Sequence, residues 1–146
     1  MSLTLHASTV AIDGQGVLIE GPSGSGKSDL ALRMIDRGAA LVSDDYTLVE
    51  ALDGCLSASA PATIAGKIEI RGFGIVSMPH VGPVPVALLV RFGQEVARFP
   101  EATTRMIEGI AIRELVVDPF EASAPIKVEL ALRHPPDGPR RADGAV

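Results

Sequence analysis

Gly21-Pro22-Ser23-Gly24-Ser25-Gly26-Lys27-Ser28 lies between the apolar run Val17-Leu18-Ile19 and a segment in which Leu30, Ala31, Met34 and Ile35 recur at helical spacing. The eight residues satisfy the phosphate-loop pattern in full, with four residues between two glycines and then Lys-Ser. Glycines let such a loop turn tightly and aim its N–H groups inward, where a Cβ would obstruct an anion. A helix opening near Lys27 adds free N-terminal donors and the positive end of its dipole. Residues 21–28 are therefore expected to bind nucleotide or polyphosphate. Lys27 would reach the β- and γ-phosphates, and the Ser28 hydroxyl would ligate Mg2+. Strand, loop and helix in that order predict an α/β fold.

Outward from the loop, the helix is expected to stop at Arg37-Gly38, and a short buried strand over residues 39–42 leads to Ser43-Asp44-Asp45. On the other side, residues 3–12 and 17–19 read as two strands joined by the turn chemistry of residues 13–16. Beyond Asp45 the sequence is rich in β signals. Residues 46–51 and 55–58 flank Asp53-Gly54 as a hairpin, and Ile68, Ile70 and residues 72–76 suggest glycine-punctuated strands. Residues 86–92 and 110–117 add two more. Ser123 and Pro125 read as cap and early-helix proline of a helix over 126–133, where Glu129 and Arg133 are spaced to pair. Residues 1–133 are taken as one domain and residues 134–146, with Pro135-Pro136 and Gly138-Pro139, as a disordered tail.

The chain has 146 residues, 47% of them hydrophobic but only 3% aromatic, so its core must be built mainly from aliphatic side chains. A net charge of −5 opposes non-specific attraction to nucleic acid or anionic membrane, so neither is expected as a partner. The single cysteine, Cys55, cannot close an internal disulfide and is expected to be a small buried hydrophobe. No signal-peptide pattern opens the sequence, and the apolar stretch over 84–90 is far shorter than the roughly 20 residues of a spanning helix. These features suggest a soluble cytoplasmic protein.

Phosphate binding alone does not distinguish a kinase from an NTPase or a sensor; the other charged residues bear on that. Asp44 and Asp45 are expected at the C-terminal end of a strand, the edge of an open α/β sheet where ligands bind. One could accept a proton from an attacking hydroxyl while the other orients Mg2+ or water; the bland alternative is an Asx turn. Glu69 alternates with Ile68 and Ile70, which by itself predicts a solvent-facing residue. His6 by itself reads as structural, and Arg71 and Arg98 could clamp phosphate oxygens or lie in solvent.

Together these motifs resemble the catalytic domain of the bacterial HPr kinase/phosphorylase family, over residues 6–99. His6 followed by the loop at 21–28, then Arg37-Gly38, then Asp44-Asp45, matches the family's order. Ile68-Glu69-Ile70-Arg71-Gly72-Phe73-Gly74-Ile75 is similar to its signature octapeptide and is far more specific than the loop. The resemblance implies a P-loop domain with a mixed β-sheet, related in fold to phosphoenolpyruvate carboxykinase. It implies an ATP- and Mg2+-dependent serine kinase acting on the phosphocarrier protein HPr, with phosphorolysis of the product as a second activity. By the same resemblance Lys27 would bind the transferred phosphate, and Ser28 and Glu69 would hold Mg2+. Asp44 or Asp45 would be the proton acceptor, His6 would lie by the phosphate, and Arg98 would be a catalytic arginine.

The chain also departs from the family. It begins close to His6, which resembles the short alphaproteobacterial members, so a catalytic core without the regulatory domain is the expectation. The expected counterpart of the family's distal loop, residues 124–129, lacks Gly-Arg-Asn, which puts phosphorolysis in question. The shortened C-terminal end does the same for the hexamer, leaving a homo-oligomer of unspecified size as the expectation. A small-molecule kinase and a non-catalytic nucleotide sensor are the competing readings.

Overall fold

The computed structural model describes residues 2–93 and 102–135. Arg98, and residues 136–146 of the expected tail, lie outside the described residues. In chain order the elements are β1 (Ser2–Leu5), β2 (Ala7–Ile12), β3 (Gln15–Glu20), α1 (Lys27–Asp36), β4 (Ala40–Ser43), β5 (Thr47–Leu52) and β6 (Cys55–Ser59). They continue with β7 (Lys67–Ile70), β8 (Gly74–Ser77), β9 (Val84–Phe92), β10 (Thr103–Ile107), β11 (Ile110–Val117) and α2 (Ala124–Arg133). The large sheet runs β1-β5-β6-β9-β3-β2-β4, with β11 and then β10 branching from β9, while β7 and β8 form a separate hairpin. The β3–β9 and β9–β11 pairings are parallel and the others antiparallel, so this is the mixed sheet of an α/β fold.

β9 is the branch point. Val84 and Pro85 pair with β6, residues 89–92 pair with β11, and residues 86–91 pair with β3. A proline is tolerated in such a strand where the ladder is ending rather than continuing. β3 is covered on both faces, which explains its unbroken apolar run. Val17 and Ile19 join Leu30, Met34 and Val128 of the helices in one core cluster, and Leu18 joins Val42, Val49, Leu56 and Leu89 in another. Leu30, Ala31 and Met34 of α1 are fully buried. Burial of each large side chain contributes about 1.5–3 kcal/mol, which anchors the helix and hence the loop that precedes it.

Several local expectations change in three dimensions. Residues 3–12 are two strands, because the chain breaks at His6 as β1 pairs with β5 while β2 pairs with β3 and β4. Cys55 is exposed, since it opens β6 directly after the Asp53-Gly54 turn. An additional strand, β10, pairs with β11 across Glu108-Gly109, whose φ values of 49° and 81° fit a tight hairpin turn. The second helix begins at Ala124, and the Ser123 side chain makes no capping hydrogen bond. Residues 124–129 are thus helical rather than a loop, and the loop at this end of the sheet is residues 118–123.

Glu129 bonds to α1 instead of Arg133. Arg37 Nε donates to Glu129 Oε2 at 2.9 Å and Nη2 to Oε1 at 2.8 Å, a bidentate clamp between the helices. Hydrogen bonding from Arg37, reinforced by its charge, holds the nearly buried Glu129 carboxyl below its ordinary pKa against the opposing effect of burial. No helix among the described residues is long and apolar enough to cross a membrane.

Candidate active site

The loop between β3 and α1 turns through Gly24 and Gly26, whose φ values of 78° and 109° are readily adopted only by glycine. Ser25 N donates to Pro22 O at 3.1 Å, and Leu30 N to Gly26 O at 2.9 Å, so the loop passes directly into the first helical turn. A Cβ on Gly21 would stand 2.5 Å from Ser25 Oγ, itself buried without a hydrogen-bond partner. The loop therefore needs glycine at its first position for packing as well as turning. Ser23, Gly24, Gly26, Lys27 and Ser28 line a cleft of about 660 Å3 that also takes in both aspartates and Glu69.

The two aspartates at the end of β4 have different environments. Asp44 is buried and fully engaged. Its Oδ1 accepts from Ser28 Oγ at 2.6 Å and Ser8 Oγ at 3.0 Å, and its Oδ2 accepts from the Glu69 N–H at 2.9 Å. It therefore ties β2, α1 and β7 to the end of β4. Asp45 is half exposed, with Oδ1 3.0 Å from His6 Nε2 and 3.6 Å from Lys27 Nζ. An ionised carboxylate only accepts, so this contact places the proton of a neutral His6 on Nε2. Lys27 is itself buried at 4% exposure and donates to Pro22 O at 3.2 Å.

Asp45 has a φ of 68°, a costly backbone conformation for a residue with a Cβ. Ser8 helps to hold it. The Ser8 hydroxyl accepts the Asp45 N–H at 3.0 Å while donating to Asp44, so one fully buried oxygen fixes both acids. His6 is stacked on Tyr46 with ring centroids 5.0 Å apart. Neither Ser8 nor Tyr46 stands out in the sequence as a site residue. Ser8 is legible only once β2 is known to lie beside β4, a pairing between distant segments.

Glu69 is exposed, as its alternation predicts, but the surface it faces is the cleft. Its place is set by β7, where Ile68 is buried against the α1 core and Glu69 points the other way. Ser28, Asp44 and Glu69 offer hard oxygen donors of the kind Mg2+ takes. Among the described residues no group of three or more His, Cys, Asp or Glu could enclose a metal ion. Arg71, Pro119 and Phe120 also line the cleft. Of the expected site residues, the structure brings together His6, the loop at 21–28, Asp44, Asp45 and Glu69.

The mixed sheet with its flanking helices defines a kinase-like domain of the α/β class, and residues 21–28 carry the phosphate-loop sequence pattern. A family model described as the HPr Serine kinase C-terminal domain matches residues 1–82, and the chain belongs to that family. It is 44% identical over 77 residues to the HPr kinase/phosphorylase of Clostridium tetani, covering 53% of this chain and 25% of that protein. It is 43% identical over 75 residues to the protein of the same name from Clostridium novyi, covering 51% and 24%. The chain thus aligns with about a quarter of the length of these relatives. Its structure is similar to that of the Hpr(Ser) kinase/phosphatase from Coxiella burnetii, with a TM-score of 0.79 and 31% identity, covering 90% of this chain and 94% of that one.

Proposed function

We propose that this chain is an ATP- and Mg2+-dependent protein-serine kinase that phosphorylates the phosphocarrier protein HPr in the cytoplasm. The observation that carries the reading is the unequal pair of acids beside the phosphate loop. Asp44 is saturated by hydrogen bonds at the foot of α1, whereas Asp45 is accessible and within reach of His6 and Lys27. The names of the clostridial and Coxiella relatives support HPr as the substrate.

In this reading the loop N–H groups and Lys27 bind the transferred phosphate, and Lys27 exchanges its contact with Asp45 for phosphate oxygens. Asp45 then accepts the proton of the incoming serine hydroxyl, with His6 orienting its carboxylate. Ser28 and Glu69 would hold Mg2+, and Asp44 would align the Ser28 hydroxyl that donates to it. When bound, the ion would neutralise charge on the phosphates. Arg98 supplies a further cation to the transferring group. The same acid in reverse, protonating a leaving serine oxygen, would serve phosphorolysis of serine-phosphorylated HPr.

Incubation of the chain with intact HPr, Mg2+ and ATP labelled in the γ-phosphate tests the reading. Label on an HPr serine is the expected result, and removal of that label by excess inorganic phosphate would establish the reverse activity. Absence of any transfer by the wild-type chain would reject the kinase.

A further inference from the structure

Phe120 is 78% exposed, in a chain with only four phenylalanines and no tryptophan, yet its surroundings are rigidly built. It is the aromatic among the residues lining the phosphate cleft. The loop that carries it, residues 118–123, is pinned to α1 by Arg33. The guanidinium donates through Nη2 to Pro119 O and through Nη1 to Glu121 O at 3.2 Å, while Nε bonds to Asp29 Oδ2 at 3.0 Å. Within the loop, Phe120 N donates to Asp118 Oδ1 at 3.0 Å and Glu121 N to Asp118 O at 3.1 Å. Lys127 Nζ fixes Glu121 Oε1 at 2.7 Å. The backbone on both sides of the exposed ring is thus fixed to α1 and α2.

The cleft that the ring shares with the phosphate loop indicates what it meets. Lys27 and Ser28 mark the phosphate end at the start of α1, and Leu32 lines the same cleft one helical turn beyond Ser28. Pro119 packs behind the loop, 3.6 Å from where a Cβ on Gly26 would be. Leu32, Pro119 and Phe120 thus add apolar surface to the same cleft that holds the phosphate cradle. A nucleoside triphosphate carries both complements, a polyanion for the cradle and a flat π-face for an exposed ring.

We infer that Phe120 is the stacking platform for the nucleobase, and that residues 118–123 with Leu32 form the base subsite. This rests on the proposed nucleotide-dependent function and adds to it the residue that distinguishes a nucleotide from a bare polyphosphate. Stacking reads a π-face rather than a hydrogen-bonding edge, so the subsite grips the base without selecting strongly among bases. Preorganisation of the loop by Arg33 means little ordering cost is left for the binding step.

The test compares ATP with inorganic tripolyphosphate, each with Mg2+, on the wild-type chain and on Phe120→Ala. Loss of the ring is expected to weaken ATP about tenfold and to leave tripolyphosphate unchanged. Phe120→Trp adds a direct readout, because the wild-type chain contains no tryptophan. The fluorescence of the introduced indole should change on saturation with ATP and stay constant with tripolyphosphate. Equal losses for both ligands in Phe120→Ala, no loss for either, or an indole signal blind to ATP would overturn the inference. So would a variant whose KM rises for HPr and not for ATP, which would assign the ring to the protein substrate. Failure of the wild-type chain to bind either ligand would instead strike the nucleotide reading itself and the inference with it. Equal affinity of the wild type for both ligands would remove the base subsite alone.

Discussion

Replacing each aspartate separately by asparagine should divide one site into a structural and a chemical half. In Asp44→Asn, the amide oxygen can still accept from the Ser8 and Ser28 hydroxyls, but the amide nitrogen then faces the Glu69 N–H that Asp44 Oδ2 accepts at 2.9 Å. One hydrogen bond to a charged acceptor, worth about 1.5–3 kcal/mol, is lost, and a peptide donor is left facing another donor. The combined cost is about 2–4 kcal/mol. At a slope near 2 kcal/mol per molar, that lowers the urea midpoint by about 1–2 M. Asp45 is half exposed, and an asparagine there keeps a side-chain oxygen for His6 and Lys27, so Asp45→Asn should stay within about 0.5 kcal/mol of wild type. Its phosphotransfer rate, however, should fall by about 10^2–10^4, as for loss of a proton acceptor. Urea titrations and labelled-phosphate transfer to HPr, run on both variants, provide the comparison. Equal destabilisation by the two changes, or near-normal turnover by Asp45→Asn, would refute the division of roles.

Lys27→Ala should lower turnover by orders of magnitude while weakening nucleotide binding, measurable by calorimetric titration beside the transfer assay, because its buried ammonium is the cation nearest Asp45 in the loop. Ser8→Ala removes the oxygen shared by Asp44 and Asp45 and should reduce kcat at least tenfold with KM for ATP little altered; a fall in affinity alone would argue against a positioning role. Glu129→Gln should destabilise the chain at pH 7. Since Arg37 holds the folded-state carboxyl below its unfolded value of about 4.3, the stabilisation is present above that value and is lost as pH falls through the folded-state pKa. The thermal midpoints of wild type and variant should therefore converge in acid, and a constant gap down to pH 2 would exclude this linkage.

The phosphate loop, α1 and β4 are legible in the sequence because they are consecutive and their signals are local: a glycine pattern, a helical period and a short apolar run. Hairpins at Asp13-Gly14 and Asp53-Gly54 are legible for the same reason, each turn using a residue pair suited to positive φ. The hairpin at Glu108-Gly109 has the same geometry, but glutamate occupies a place where Asp or Asn is usual, and β10 has the polar start Thr103-Thr104-Arg105. The signal that could have found it is the glycine between Ile107 and Ile110. Glu129 and Arg133 have the right spacing on one helix, but Arg37 offers two bonds from another, and tertiary geometry prevails over the local pair. Asp44 and Asp45 are equivalent as sequence. Only the docking of Ser8, Ser28 and the Glu69 peptide on one of them separates their roles.

The branch at β9 has a kinetic consequence. β3, whose end launches the phosphate loop, meets its hairpin partner β2 locally, but its other edge is covered by β9, which leaves the ribosome much later. Productive pairing of strands so far apart in sequence is slow relative to a local hairpin. The nascent chain therefore carries a phosphate loop hanging from a half-paired strand until β9 docks, and ligand can favour the folded state only after that step. Nucleotide should accordingly slow unfolding of the finished domain while leaving its folding rate nearly unchanged.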